Sequence, residues 1–506
     1  MKAKFIISSL LLANLSFAQL AGEFDTGFGN YGKVTLTNPA HGQVVQDMIV
    51  QPDGKIIAAI QQQKTNADFQ IMRFMPNGII DTTFGANGVT SVDFNGYKDI
   101  PYSLALQSDG KIIVGGKAGN GQITEISGFG ILRLNTNGSV DTTFGTNGKV
   151  SFNFESQSGL YDAINNIAIQ ADGKIVVSGT AIYESSFKFA IARIYPDGTL
   201  DNNFSNDGKQ TSNFSNSTSE CSALKILPDG KFLLGGYSGA SAAVLRLLPD
   251  GSFDNTYNGT GAKVVAANIY YPHPKMAFLN DNSIIFAGTL NNDVKVMKFD
   301  SNLEQVTSFG ASGSVVVDID NGSYDERVTK IITDNNGRIY TIGKTSTGGN
   351  SYFYILNFTA NGTLNTNFSY DGKQLVSFDN INTAYSAVMQ SDAKLIVGGA
   401  SSPTNQVTAT GVMARLHVEA QGLGINDIKK LESVEVYPNP TLSLLNLKNI
   451  DKSLMNDKII MTDLSGRIVH EKLINNINET LNVSHLNAGI YLLKIGSGAV
   501  VKIIKK

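Results

Sequence analysis

An all-β chain of repeated four-stranded units is what this 506-residue sequence predicts. Three observations carry the prediction. A hairpin signature, QSDGKIIVGG at residues 107–116, returns along the chain at a regular spacing, and two further motifs return with it. Gly is abundant at 51, charged residues are only 16% and there is no Trp, a composition that suits a turn-rich β chain with a surface of Ser, Thr and Asn.

In the hairpin, Leu104-Ala105-Leu106 leads in, Asp109-Gly110 turns with Gly free to take positive φ, and Ile112-Ile113-Val114 leads out. Copies centre on Asp53-Gly54, Asp172-Gly173, Asp229-Gly230, Asp281-Asn282, Asn336-Gly337 and Asp392-Ala393, seven in all, and only Ala393 resists the required conformation. A second motif is a strand ending on a base, at Arg73, Arg133, Arg193, Arg246, Lys298 and Arg415, with Asn357 in the sixth copy. The third is a turn before a strand, DTTFGANG at residues 81–88, echoed from Asp141, Asp201, Asp254, Glu304 and Asn365 and once at the start, from Asp25. The period is roughly 52 to 63 residues with four strands in each unit, the pattern of propeller blades. The fold expected over residues 19–420 is therefore a seven-bladed β-propeller. Named from the centre outward, strand a is expected to be apolar on both faces, b follows the Asp-Gly turn, c carries the Arg and d follows the Phe-Gly turn.

The chain starts within its own repeat. Its first piece is a turn and a d strand at residues 33–37, whereas the last unit stops on strand c at Arg415. The N-terminal strand is thus expected to complete the last blade and to abolish the open seam. The c-strand base and the turn acid vary together, as Arg73 with Asp81, Arg133 with Asp141, Arg193 with Asp201, Arg246 with Asp254 and Lys298 with Glu304. A partly buried Arg is costly without a carboxylate, so these are expected to pair within blades, and Arg415 is expected to pair with Asp25.

Ahead of the repeats, Lys2 and Lys4 precede an apolar stretch and Ser16-Phe17-Ala18, which predicts a signal peptide over residues 1–18 with cleavage between Ala18 and Gln19. That stretch is shorter than the roughly 20 residues needed to cross a bilayer, and no transmembrane segment is expected in the mature chain. The route is export through the periplasm. A lone cysteine, Cys221, excludes an internal disulfide and occupies the column held by Val45, Pro101, Ile164, Val328 and Ala384, the place of a buried structural thiol. The net charge of −3 gives no case for nucleic acid as a partner.

The five histidines show no metal-ligand spacing, the Gly pairs are not followed by helices that could cradle phosphate, and the repeated Asp residues form turns. No catalytic residue and no cofactor is predicted. Function is expected where the repeat is broken, in the b–c and d–a connections at residues 117–128, 155–162, 183–187, 269–275 and 318–327. Tyr270, Tyr271 and His273 offer stacking surface to a ligand. Asp318, Asp320, Tyr324 and Asp325 cluster oxygen atoms, but the loop lacks the spacing of a calcium-binding EF-hand and reads better as a solvated acidic loop.

Two resemblances complete the reading. QSDGKIIVGG, FGILRLNTNG and VDTTFGTNG resemble the delta-60 repeats of bacterial surface proteins, over about residues 24–418. After a linker at 421–433, VYPNPT, the DLSGRIV run from Asp463, the LNAGIYL run from Leu486 and a basic C-terminus closely resemble the type A sorting domain of the type IX secretion system of certain Gram-negative bacteria. Short alternating strands over residues 434–506 predict a small immunoglobulin-like β-sandwich of about seven strands. The resemblance implies the type IX secretion machinery as a partner and a secreted or outer-surface-attached product. The function expected is a propeller scaffold for binding or adhesion to an extracellular ligand; the alternative is a secreted enzyme degrading polysaccharide or protein, with its site on the variable-loop face.

Overall fold

The structure, a computed structural model, describes residues 20–36, 41–119, 127–154, 162–212, 214, 218–267, 269–319, 326–334, 336–403, 408–419, 434–450, 454–455, 458–463, 468–495 and 500–506. Two compact units divide the chain, one of residues 20–419 and one that contains the C-terminal residues from 420 onward. The signal peptide and its cleavage point at Ala18 and Gln19 lie outside the described residues.

The first unit holds seven four-stranded antiparallel sheets. Blade one runs a to d as Gly42–Val50, Ile56–Gln63, Phe69–Phe74 and Val89–Val92. The inner strands of the next six are Ile100–Leu106, Ala163–Ile169, Ser219–Ile226, Tyr270–Phe278, Arg327–Thr333 and Ile381–Met389. Each inner strand packs on the next and the seventh on the first, which closes a ring. The apolar cores lie between blades: Ile57, Phe69 and Phe84 of blade one meet Leu104, Ile112 and Val114 of blade two. A four-stranded blade cannot bury both of its faces alone, so its neighbours must. Gly115 shows how closely they approach, because a Cβ there would lie 2.9 Å from Ile164 and Ile167 of blade three.

The hairpin turns repeat in detail. Gln107 N donates to Lys111 O at 2.9 Å, and Lys111 N to Asp109 Oδ1 at 3.1 Å. The turn residue has positive φ throughout, 82° at Gly110, 64° at Asn282 and 57° at Ala393. Ala393 therefore holds a conformation that costs a non-Gly residue about 1 kcal/mol.

Four strand-c arginines, Arg73, Arg133, Arg193 and Arg415, each grip two blades. Arg73 Nε donates to Asp81 Oδ2 at 2.8 Å, its Nη1 to Thr136 O of blade two at 2.6 Å, and its guanidinium lies 4.7 Å from the Phe84 ring centre. Arg133 with Asp141 and Arg193 with Asp201 close at 2.7 Å, and Arg246 with Asp254 at 2.8 Å. In blade five the register differs from the expectation. The residue whose amide bonds Lys298 O is Val306, as the Asp81 amide bonds Arg73 O, so Val306 fills the acid's place. Glu304 is exposed and meets Lys263 of blade four instead.

These carboxylates predict the acid limb of stability. Burial raises the pKa of Asp81, Asp141 and Asp254, but the Thr hydroxyl and amide bonds, a Lys and the Arg outweigh it, leaving Asp254 at about 2 and the other two well below the usual range. A folded pKa below the unfolded value of about 4 stabilises fully above that value and is lost as pH falls through the folded one. Urea midpoints should be level with respect to these groups above pH 5 and fall from about pH 4 towards 2; a midpoint unchanged at pH 2 would contradict the assignment.

The last blade is completed by the chain's beginning. Lys33–Thr35 pairs with the final strand c, Thr410–His417, with Val34 opposite Met413. Asp25 Oδ2 stands 2.7 Å from Arg415 Nη2, and Arg415 lies 4.6 Å from the Phe28 ring. The contact is an ion pair without the Nε hydrogen bond of blades one to four. Backbone bonds from Gly22 N to His417 O and from Arg415 N to Gly32 O extend the seam.

The C-terminal unit has a three-stranded sheet of Glu435–Tyr437, Leu444–Lys448 and Glu479–Asn482 and a four-stranded sheet ordered Ile468–Leu473, Lys458–Asp463, Gly489–Ile495, Val500–Lys505. Leu445, Leu447, Met461, Leu481, Leu493 and Ile503 fill its core. No helix among the described residues is long and apolar enough to cross a membrane.

Candidate functional site

Where the inner strands converge they surround an open cavity of about 1030 Å³. Its lining corrects the expectation that strand a is apolar on both faces. In six of the seven inner strands the pairing with strand b slips by one residue at the same place, between Val45 and Asp47, Pro101 and Ser103, Ile164 and Asn166, Cys221 and Ala223, Val328 and Lys330, and Ala384 and Ser386. Such a bulge re-aims the extra side chain. The extra residues are Gln46, Tyr102, Asn165, Ser222, Thr329 and Tyr385, and all of them line the cavity. Some are fixed by neighbours: Asn165 Nδ2 donates to Cys221 O at 3.1 Å, and Met276 N to Ser222 Oγ at 3.1 Å. Burial pushes the Tyr102 hydroxyl up to about 12, so it remains a neutral donor.

The charges on the lining are one-sided. Lys225, Lys275, Arg327, Lys330 and Lys344 face Glu220, and Lys330 Nζ also stands 3.5 Å from Asp47 Oδ1 of blade one. Among the described lining residues the bases belong to blades four, five and six. Lys275 and Lys330 hold the same column in adjacent blades, where the others have Asp47, Ser103, Asn166, Ala223 and Ser386. Burial lowers the Lys275 pKa, the Glu220 carboxylate opposes this, and the like charge of Lys330 adds to it. The Lys225 ammonium is spent on Leu279 O.

The loop residues singled out in the sequence fare differently. Tyr270, Tyr271 and His273 lie within the inner strand Tyr270–Phe278 and not in a loop, with the register slip falling between Tyr270 and Lys275. Pro272 and Pro274 are tolerated there because a bulge needs no ladder donor at each residue. Asp318 is half-buried with its backbone oxygen bonded by Lys373 Nζ at 2.7 Å. Asp320, Tyr324 and Asp325 lie outside the described residues, as do most of residues 117–128 and 155–162. Among the described residues no group of three or more His, Cys, Asp or Glu side chains is placed to hold a metal ion. Cys221 is buried, and burial pushes its thiol up to about 11. The bulge column was readable in principle, since it is the neighbour of the Cys221 column, and its polar residues break an otherwise apolar run.

Comparison with known proteins agrees with this architecture. Residues 51–84, 107–144, 170–204, 227–257 and 335–368 match a family described as a domain of unknown function (DUF5122) beta-propeller. Residues 435–506 match the secretion system C-terminal sorting domain. Similar solved structures include a virginiamycin B lyase from Staphylococcus aureus, at 13% identity over 76% of this chain and 98% of that one, TM-score 0.45. An ulvan lyase, described as a new polysaccharide lyase family, is 10% identical over 78% and 98%, TM-score 0.44. Another polysaccharide lyase is 9% identical over 79% and 98%, TM-score 0.42. Curated proteins give no match. The chain thus carries β-propeller repeats of a family of unknown function, ends in a type IX sorting domain, and is a secreted or outer-surface-attached protein recognised by the type IX secretion machinery.

Proposed function

We propose that the propeller is an extracellular binding module and that its axial cavity takes the ligand. The observation that carries this reading is the broken symmetry of the lining. A repeat that served only to build the ring would put equivalent residues at equivalent positions, yet the described lining bases fall in three adjacent blades while the hairpin turn repeats around all seven. Concave, partly polar pockets with a few convergent charged groups are the usual form of a ligand site. The bulge residues add amides, hydroxyls and two aromatic faces at a single level of the cavity.

Thr329→Trp fills the cavity at that level from a strand whose pairing it need not change. An array of glycans and surface proteins probed with the purified protein should show capture that this variant loses while its melting curve is kept. Capture that survives Thr329→Trp but fails on substitution of Tyr271 or Asp318 would move the site to the loops and reject the cavity.

A further inference from the structure

Resting on the cavity as the binding site, we propose that its ligand is an acidic saccharide, with a carboxylate or sulfate group held by Lys275 and Lys330 and hydroxyls held by the bulge residues. The chain as a whole is slightly acidic, at −3, so a wall of bases is not a by-product of composition. Lys275 and Lys330 stand in equivalent positions on neighbouring inner strands, and the Lys275 ammonium meets the like charge of Lys330 where burial partly desolvates it. That arrangement is unfavourable in the empty protein and is relieved by an anion between the two. Among the described residues the acids that reach Lys275 and Lys330 are Glu220 and Asp47, and the lining itself sets Lys225, Lys275, Arg327, Lys330 and Lys344 against Glu220.

The rest of the lining argues for a sugar in particular. An inorganic anion needs neither about 1030 Å³ nor aromatic surface. Tyr102 and Tyr385 present rings with hydroxyl tips, and Gln46, Asn165 and Thr329 present amides and a hydroxyl, the groups that pair with a ring bearing many hydroxyls. An acidic peptide would use the bases but would have little call for that polar ring. Glycan polymers are also what a protein at the outer surface meets.

Titration calorimetry of the full mature chain tests the assignment with four probes: tetragalacturonate for the carboxylate, a heparin tetrasaccharide for the sulfate, fully methyl-esterified tetragalacturonate as the neutral sugar, and tetraglutamate. At least one acidic sugar should bind at least about tenfold more tightly than the neutral sugar and tetraglutamate, and weaken as salt rises. Lys275→Met and Lys330→Met should each lose about tenfold or more, while Lys64→Met, which removes a surface partner of Asp68, should lose nothing. Cleavage of the acidic probe during titration would support the same ligand class. Equal affinity for the ester, preference for tetraglutamate, or silence with both acidic sugars overturns the inference. The salt and ester comparisons on the unaltered protein hold even if a lysine variant fails to fold. Neutral sugar binding lost in Thr329→Trp would leave the cavity reading standing and reject only the acid, whereas binding untouched by Thr329→Trp would reject the cavity itself.

Discussion

Replacing Asp25 by Ala should lower the unfolding free energy of the propeller by about 3 kcal/mol, because it strands a buried Arg at the seam of the ring. Arg415 and Asp25 are both buried, and Lys394 Nζ, at 3.2 Å, is the second cation that leans on the same carboxylate. The ring of His417, whose pKa burial lowers, lies 3.8 Å away and cannot replace the lost charge. Adding Arg415→Ala should recover part of the loss, so the double variant should be more stable than the sum of the two single effects predicts. The comparison with Asp141→Ala separates pairing from closure. Both remove a buried acid, but only Asp25→Ala should speed amide exchange in Lys33–Thr35 and Thr410–His417, since only that pair ties the first strand to the last sheet. Strictly additive effects in the cycle, or exchange at the seam unchanged by Asp25→Ala, would remove the ion pair from the closure.

Removal of residues 435–506 should leave a folded propeller in the periplasm and reduce the surface and secreted pools to background. The C-terminal unit has its own core, with Leu445, Leu447, Met461 and Leu493 fully buried among themselves, and the propeller contacts close within residues 20–419. Two units of that kind fold separately. Fractionation with an antibody to the propeller, and a melting curve of the truncated product, measure both halves of the expectation. Normal surface levels without residues 435–506 would contradict the delivery route, and a lost melting transition would contradict the independence of the units.

Much of the framework was legible because its signals are local. Asp109-Gly110 fixes a turn within four residues, and Arg133 and Asp141 sit eight residues apart on a strand and the turn that follows it, so both could be read from one repeat. The cavity was not legible in that way. It is a column of single residues spaced by whole blades, and a bulge of one residue breaks the alternation that would point Gln46 or Tyr385 inward. Residues 269–275 read as a connection because the repeat is broken there, yet the slip between Tyr270 and Lys275 lets the strand carry Tyr270 to Pro274. Glu304 read as the partner of Lys298 because its charge was opposite. The backbone bond from Val306 decides the register, and side-chain charge carries no information about it.

The clasp of first strand on last sheet also sets an order of events. Arg415 and the carbonyl of Pro76, which its guanidinium bonds across the seam, are 339 positions apart in sequence. Closing so long a loop costs little more free energy than closing a short one, since the penalty grows only with the logarithm of length. The kinetic cost is different, because contacts between remote segments slow the search. A chain emerging in order can stack six complete sheets before the seventh has its outer strand, and until then that sheet has an unpaired edge at Thr410–His417. The ring is therefore the last thing the propeller makes.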